Sequence, residues 1–269
     1  MDGIMEEIYK CLFMNSAPLT REWILISSPF PLMLIIFGYL YFVLYAGPRY
    51  MQNQLPYKLK TFIMLYNLIQ ILANIWMVKE HLSFGWFSKY GITCSSFPYS
   101  TPDSLNAIKI FHCVWWLFLL KIFDLVETCV FVLRKKQNQV SKLHVYHHVS
   151  NIFFGWIYLK YILEERMTFI SLINCAVHVI MYTYYFISAK SKYRQIISPV
   201  KPFITRIQMM QFIVMITFLL QVWNPNCHVP KNIQCATLLA FIFIINLLIF
   251  FYLFYDFYKK SYTNTSKKD

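Results

Sequence analysis

The sequence predicts an all-α multi-pass membrane protein with seven transmembrane helices. Of the 269 residues, 58% are hydrophobic and 14% are charged, and the mean hydropathy is +0.47; soluble domains carry roughly 25% charged residues. The apolar residues form long runs instead of recurring at helical intervals, which is typical of bilayer-spanning segments. Backbone polar groups in lipid must be satisfied within the segment, so we expect each run to be a helix.

Each predicted span is close to the ~20 residues that cross ~30 Å of hydrocarbon. The spans cover about 29–46, 61–78, 110–133, 144–163, 167–187, 203–223 and 233–257. No repeat or second domain is evident. Residues 1–258 are therefore predicted to form one transmembrane domain, followed by a short basic cytosolic tail at 259–269.

The net charge of +13 is concentrated in short loops. In a soluble protein this excess would indicate nucleic acid, but here membrane orientation explains it first and an anionic substrate second, so no nucleic-acid partner is predicted. One alternate set of loops carries 16 Lys and Arg residues and the other carries 8. The positive-inside rule therefore predicts a luminal N-terminus and a cytosolic C-terminus.

The seven cysteines show no paired metal-binding spacing, so no zinc site is predicted from them. Cys94 and Cys227 both fall in predicted luminal loops, where oxidation is permitted. A disulfide between these two residues is therefore expected.

The third span contains three ionisable residues, which are costly in a membrane and mark functional sites. Lys121, Asp124 and Glu127 follow one another at intervals of three, so they lie on one side of a helix. Two interpretations stay open: an ion-paired cluster that fixes helix packing, or a charged wall of a water-accessible chamber.

The fourth span opens with "LHVYHH", which places His144, His147 and His148 on one helix face. A single histidine at a membrane interface is commonly structural. Three on one face, directly after a basic loop, indicate chemistry.

Two further spans carry polar stripes at the same predicted cytosolic depth. Together these stripes predict an enclosed site with an apolar interior below a basic roof. The fifth span contributes Asn174, His178, Tyr182 and Tyr185, and the sixth contributes Thr205, Gln208 and Gln211. The roof consists of Arg134, Lys135, Lys136, Lys190 and Lys192.

A basic roof suits phosphates and an apolar interior suits a hydrocarbon chain, and a long-chain acyl-CoA combines both. Neutral imidazole acts as a base or a nucleophile near pH 7. Attack of a histidine nitrogen on a thioester would give an acyl-imidazole, which a dry site protects from hydrolysis.

Two rival functions use the same features. An H-x-x-H-H motif also occurs in membrane di-iron desaturases and hydroxylases, which need several histidine boxes. The chain has seven histidines and no second such box, and two of the seven, His81 and His228, lie on the predicted luminal side. A lipid transporter or a receptor is the rival that is not an enzyme, although intramembrane histidine and carboxylate clusters do not require it.

Four segments, in this order and spacing, resemble the ELO family of very-long-chain fatty acid elongases. They are "KIFDLVETCVFVLRKK", "LHVYHH", "NCAVHVIMYTYYF" and "TRIQMMQF". One departure concerns the family's usual K-x-x-E-x-x-D-T, which reads here Lys121-x-x-Asp124-x-x-Glu127-Thr128, with the two acids exchanged.

The resemblance implies seven transmembrane helices, six of them enclosing a tunnel for the acyl chain. It implies condensation of acyl-CoA with malonyl-CoA to 3-oxoacyl-CoA, CO2 and CoA, in the endoplasmic reticulum membrane and without a metal or redox cofactor. The reductases and dehydratase of the elongation cycle are implied partners, and a homo-oligomer is an open possibility.

The resemblance also assigns roles within this chain. His147 is the nucleophile, His144 and His148 orient it or move protons, and His178 assists decarboxylation of malonyl-CoA. The charge balance belongs to Lys121, Asp124 and Glu127. Substrate contacts are expected from Asn174, Tyr182, Tyr185, Thr205, Gln208, Gln211, Arg134, Lys135 and Lys136.

Overall fold

The fold is described from a computed structural model, covering residues 18–88, 91–93, 105–162, 165–224 and 236–263. These residues form helices and turns, and no strand is present among them. The helices are α1 (Pro29–Tyr41), α2 (Gly47–Met51), α3 (Lys60–Ser83), α4 (Leu105–Phe123), α5 (Leu125–Leu133), α6 (Lys142–Ile157), α7 (Thr168–Ser188), α8 (Ser191–Ile197), α9 (Lys201–Leu220) and α10 (Ala236–Tyr258).

Three π-helical segments extend these helices. They are Phe42–Ala46, which joins α1 to α2, Tyr158–Ile162 after α6, and Lys259–Thr263 after α10. Helical structure therefore continues to Thr263, into the region predicted to be a tail.

Five helical stretches are long and apolar enough to cross a membrane, so the chain is a membrane protein. They are Pro29–Met51, Lys60–Ser83, Glu165–Ser188, Lys192–Trp223 and Thr237–Thr263. Many of their large apolar side chains are exposed, such as Phe37 on α1 and Leu248 on α10, as expected for surfaces that face lipid. These stretches match five of the seven predicted spans.

The third and fourth predicted spans correspond to α4 with α5 and to α6. These two stretches contain the buried Lys121, Asp124 and His148, and neither is among the five helices that meet the length and hydropathy criteria. The count of seven spans and the acyl tunnel therefore stay predictions.

The chain divides into two compact units. The first contains Met1–Leu59 and Val114–Leu163, and the second contains Lys60–Cys113 and Glu164–Asp269.

In the first unit, the segment before α1 is anchored to the end of α6. The indole of Trp156 donates to the backbone oxygen of Leu25 at 3.0 Å. The ammonium group of Lys160 donates to Ser27 O at 2.8 Å and to Ile26 O at 3.1 Å. The apolar core beside these contacts includes Val43, Phe118, Val132, Ile152 and Leu159.

In the second unit, α3 packs along α7, and α9 packs on α10. The indole of Trp86 donates to the hydroxyl of Thr168 at 2.9 Å and fixes the beginning of α7. Trp86 also packs on Phe169 and Phe218 in the core of this unit.

Candidate active site

The charged residues of the third predicted span lie at the junction of α4 and α5. Lys121 Nζ and Asp124 Oδ2 form a buried ion pair at 3.6 Å, with side chains only 10% and 2% exposed. The backbone is tightened here, because the amide of Glu127 donates to Asp124 O, three residues back, at 3.1 Å. The tightened turn therefore places the Lys121–Asp124 ion pair in the interior of the first unit, and the chain stays helical from α4 into α5.

The three histidines occupy the first two turns of α6. Ser141 caps this helix, since its hydroxyl accepts the amide N–H of His144 at 3.2 Å. His144 Nε2 lies 3.0 Å from the hydroxyl of Thr128 on α5 and 3.1 Å from His148 Nε2. The cap and these two contacts fix the position of the histidine face against α5.

Tyr39 of α1 extends this polar chain. Its hydroxyl donates to Thr128 Oγ1 at 2.9 Å, and both residues are buried. Tyr39, Thr128, His144 and His148 therefore form a continuous hydrogen-bonded row within the first unit. Sequence analysis missed Tyr39, because 89 residues separate it from Thr128 and no spacing rule connects them.

His147 has a separate partner, Asn151, one turn further along α6. Asn151 Nδ2 lies 3.0 Å from His147 Nε2. An amide nitrogen only donates, so the Nε2 of His147 is the acceptor and carries the lone pair. Asn151 thereby selects the tautomer in which Nε2 is unprotonated, and the spacing of four residues could have revealed this contact.

Glu127, His144 and His148 form a compact donor set. One ligand atom from each lies within 4.8 Å of the other two, and this is the group of three that the described residues provide for a metal ion. The carboxylate of Glu127 makes no hydrogen bond or ion pair within the described part of the chain. The exchanged acids thus have different surroundings, since Asp124 pairs with Lys121 and Glu127 lies beside two imidazoles.

The basic run Arg134 to Lys136 ends α5. The amide of Lys136 donates to Phe131 O at 2.8 Å, and that of Lys135 donates to Val132 O at 2.9 Å, with Lys135 at φ 55°. This is a helix-terminating arrangement, and cations at a helix C-terminus are stabilised by its dipole. The structural role accounts for these residues, and contact with CoA phosphates stays a prediction.

In the second unit, His178 is buried on α7 and its ring lies 5.6 Å from that of Tyr182. Tyr182 is buried and contacts the rings of Tyr185 and of Tyr66 on α3, each at 6.1 Å. Asn174 is half-buried on the same helix. The predicted stripe on α7 therefore lies beside Tyr66 of α3.

The predicted stripe on α9 is also largely inside this unit. Thr205 is buried and its hydroxyl donates to Lys201 O at 3.3 Å. Gln208 donates to the sulfur of Met181 on α7 at 3.3 Å. The amide oxygen of Gln211 is buried and has no hydrogen-bond partner among the described residues, so it is available to a ligand.

A fourth polar stripe, on α3, was missed by sequence analysis. Asn67, Gln70, Asn74 and His81 are all buried on this helix. His81 Nδ1 donates to Met77 O at 2.7 Å, so its Nε2, 2.6 Å from Ser171 Oγ, is an acceptor that shares this hydroxyl with Thr168 O at 2.8 Å. The intervals of three, four and seven residues would have revealed this stripe by the test used for the other spans.

Two predicted features remain, the disulfide and the two lysines of the basic roof. Cys94 and Cys227 fall outside the described residues, and their disulfide stays a prediction. Lys190 and Lys192 lie over the rings of Phe186 and Tyr193, each at 5.9 Å.

Comparison with known proteins identifies the family. Residues 24–269 match the profile of ELO, the GNS1/SUR4 family. A very long chain fatty acid elongase of Aedes aegypti is 34% identical over 93% of this chain and 68% of its own length. Very long chain fatty acid elongase 1 of Mus musculus is 34% identical over 95% of this chain and 90% of its own. This chain therefore belongs to the ELO family.

Proposed function

We propose that this chain is a very-long-chain 3-oxoacyl-CoA synthase that condenses a long-chain acyl-CoA with malonyl-CoA. Membership of the ELO family supports a role in fatty acid elongation. The observation that carries the finer proposal is the contact of Asn151 Nδ2 with His147 Nε2. It leaves a histidine with a nucleophilic lone pair in a polar cluster of a membrane protein.

In the first half of the reaction, Nε2 of His147 attacks the thioester carbon of acyl-CoA. The carbon–sulfur bond breaks, CoA leaves as a thiolate, and the acyl group stays on the imidazole. Before the attack, the amide of Asn151 stabilises the tautomer in which Nε2 is unprotonated. This hydrogen bond breaks as Nε2 bonds to the acyl carbon.

The departing CoA thiolate needs a proton. The row of Tyr39, Thr128, His144 and His148 relays one, because each neighbouring pair lies within 3.1 Å, and a proton from solvent then restores the row. His148 lies beside the nucleophile, with ring centroids 5.4 Å apart. We assign proton transfer to this row and nucleophilic attack to His147.

In the second half, malonyl-CoA replaces CoA and loses CO2. The electron pair released from the carbon–carbon bond forms an enolate, which attacks the acyl carbon. The carbon–nitrogen bond then breaks, His147 is regenerated, and the product is two carbons longer. We assign His178 to the decarboxylation step, and Lys121 with Asp124 and Glu127 to the charge balance around the imidazoles.

Loss of CO2 drives this condensation, so the proposal includes no metal or redox cofactor. It places the protein in the endoplasmic reticulum membrane with a cytosolic C-terminus, where reductases and a dehydratase would consume the 3-oxoacyl-CoA. Asn174, Tyr182, Tyr185, Thr205, Gln208 and Gln211 are proposed to contact substrate.

The test is a product assay on the purified protein in detergent. With carboxyl-labelled and chain-labelled malonyl-CoA and a long-chain acyl-CoA, we expect labelled CO2 and a 3-oxoacyl-CoA in equal amounts. Chelators should not reduce the yield. If the protein releases no CO2 when both malonyl-CoA and a long-chain acyl-CoA are supplied, the proposal is contradicted.

One observation favours a second candidate, a metal-dependent oxidation of the acyl chain. Glu127, His144 and His148 bring one metal-ligand atom each within 4.8 Å of one another. A desaturated or hydroxylated acyl product, formed only with iron, oxygen and an electron donor, would support that candidate over condensation.

A further inference from the structure

The donor set at the junction of α5 and α6 has a capacity that condensation does not use. His144 Nε2 and His148 Nε2 are 3.1 Å apart. Two imidazole nitrogens bound tetrahedrally to Zn2+ at 2.0–2.1 Å lie about 3.4 Å apart. The resting positions of these nitrogens therefore differ from those of zinc ligands by only a few tenths of an ångström.

Charge at this site also favours a cation. Asp124 forms an ion pair with Lys121, whereas Glu127 has no ion-pair or hydrogen-bond partner in the described part of the chain. Glu127 is half-buried, and a carboxylate partly withdrawn from water is costly unless it is paired. Its ligand atom lies within 4.8 Å of both imidazole nitrogens, against at most about 4.2 Å between two ligands of one Zn2+, so side-chain shifts of about half an ångström bring all three groups onto one cation.

The chemistry of the donors limits the choice of cation. Two imidazoles and one carboxylate suit Zn2+, Co2+ and Fe2+, whereas Ca2+ and Mg2+ prefer oxygen ligands. The hydroxyl of Thr128 contacts the same His144 Nε2 at 3.0 Å, so a bound cation replaces this hydrogen bond as well as the one between the two imidazoles.

We propose that Glu127, His144 and His148 bind a transition-metal dication of the Zn2+ type, and that occupancy blocks acyl transfer. A metal replaces the proton between the two Nε2 atoms, so the row from Tyr39 to His148 can no longer deliver a proton to the thiolate. The blocking step rests on the proposed function, whereas cation binding does not.

Binding is tested first, with Co2+ as the probe and with a chain from which any polyhistidine tag has been removed. We expect one Co2+ per chain, with visible absorption bands typical of nitrogen and oxygen ligands, and displacement of these bands by Zn2+. Loss of an outer partner weakens metal sites about 10–100-fold, so loss of a direct ligand in Glu127→Gln or His148→Gln should weaken binding by at least about 100-fold.

His112→Gln is the matched control, because His112 is an exposed histidine on α4 outside the set. It should bind Co2+ as the unmodified chain does. Absence of bands in the unmodified chain would overturn the proposal, as would their persistence in both ligand variants. Elution of each variant as a monodisperse species shows that it has folded.

Inhibition is tested second, by the acyl adduct formed with acyl-CoA alone. Zn2+ should suppress the adduct over the same concentration range in which it displaces Co2+, and a chelator should restore it. If Zn2+ binds and the adduct still forms, the blocking step is wrong but the site stands. If no adduct forms even without metal, the proposed function fails instead. If a metal is required for turnover, inhibition and metal-free condensation are both overturned.

Discussion

The contact between Asn151 and His147 gives the sharpest prediction, because two substitutions of similar size act on it in different ways. Asn151→Leu removes the amide that donates to Nε2 across 3.0 Å. One hydrogen bond contributes about 0.5–1.5 kcal/mol, so the nucleophilic tautomer should become about 2- to 13-fold less populated. The rate of His147 acylation should fall by that factor.

Asn151→Asp inverts the hydrogen bond instead. An ionised carboxylate only accepts, so it favours a proton on His147 Nε2. A hydrogen bond to a charged group contributes about 1.5–3 kcal/mol, and together with the lost amide bond this gives a deficit of roughly 30- to 2,000-fold. The deficit should shrink as pH falls, since a protonated acid donates as the amide does.

The assay is the single-turnover rate of acyl adduct formation, at about pH 8 to keep the introduced carboxyl ionised. Both variants must elute as the unmodified protein does. Equal rates for the Leu and Asp variants would refute tautomer selection, and unmodified rates in both would remove Asn151 from the reaction.

Three other predictions concern neighbouring contacts. Tyr39→Phe should slow acyl adduct formation about 2- to 13-fold by removing one hydrogen bond to the proton row, whereas Tyr41→Phe, at a side chain 62% exposed, should not; equal rates would exclude a role for the row. Gly47→Ala should lower the thermal midpoint in detergent, because its Cβ would lie 2.7 Å from a backbone oxygen and from a valine methyl of α5 and overpacking costs about 1–3 kcal/mol. Gly38→Ala, with open space around its Cβ, should be neutral or stabilising, and the opposite order would contradict the packing described. Ser171→Ala should destabilise by about 1–3 kcal/mol, because it leaves a buried imidazole of α3 without its partner; an unchanged midpoint would show that this contact contributes nothing.

The sequence predicts much of the helical architecture, because a long run of apolar residues is sufficient to identify a membrane-spanning helix. The predicted span at 61–78 corresponds to Lys60–Ser83, and that at 167–187 to Glu165–Ser188. The interruption at Asp124 was not predicted, because the tightened turn depends on local backbone hydrogen bonds rather than on hydropathy.

In the candidate site too, some contacts follow from helical spacing in the sequence and others depend on how the helices pack. Helical spacing predicted which histidines share a face, whereas the Ser141 cap was not predicted, although serine is a common residue at a helix start. The contact of Tyr39 with Thr128 joins α1 to α5 across 89 residues, and only packing of the two helices creates it. The contact of Asn151 with His147 and the polar stripe on α3 could have been predicted from the sequence, since both follow regular helical spacing.

The direct test of the central claim is a chase of the protein-bound acyl group. After incubation with a long-chain acyl-CoA alone, peptide mass spectrometry should locate the acyl group on His147. Addition of malonyl-CoA should remove it and release one equivalent of 3-oxoacyl-CoA that is two carbons longer. An adduct on another residue, or one that malonyl-CoA leaves in place while product forms, would contradict the account.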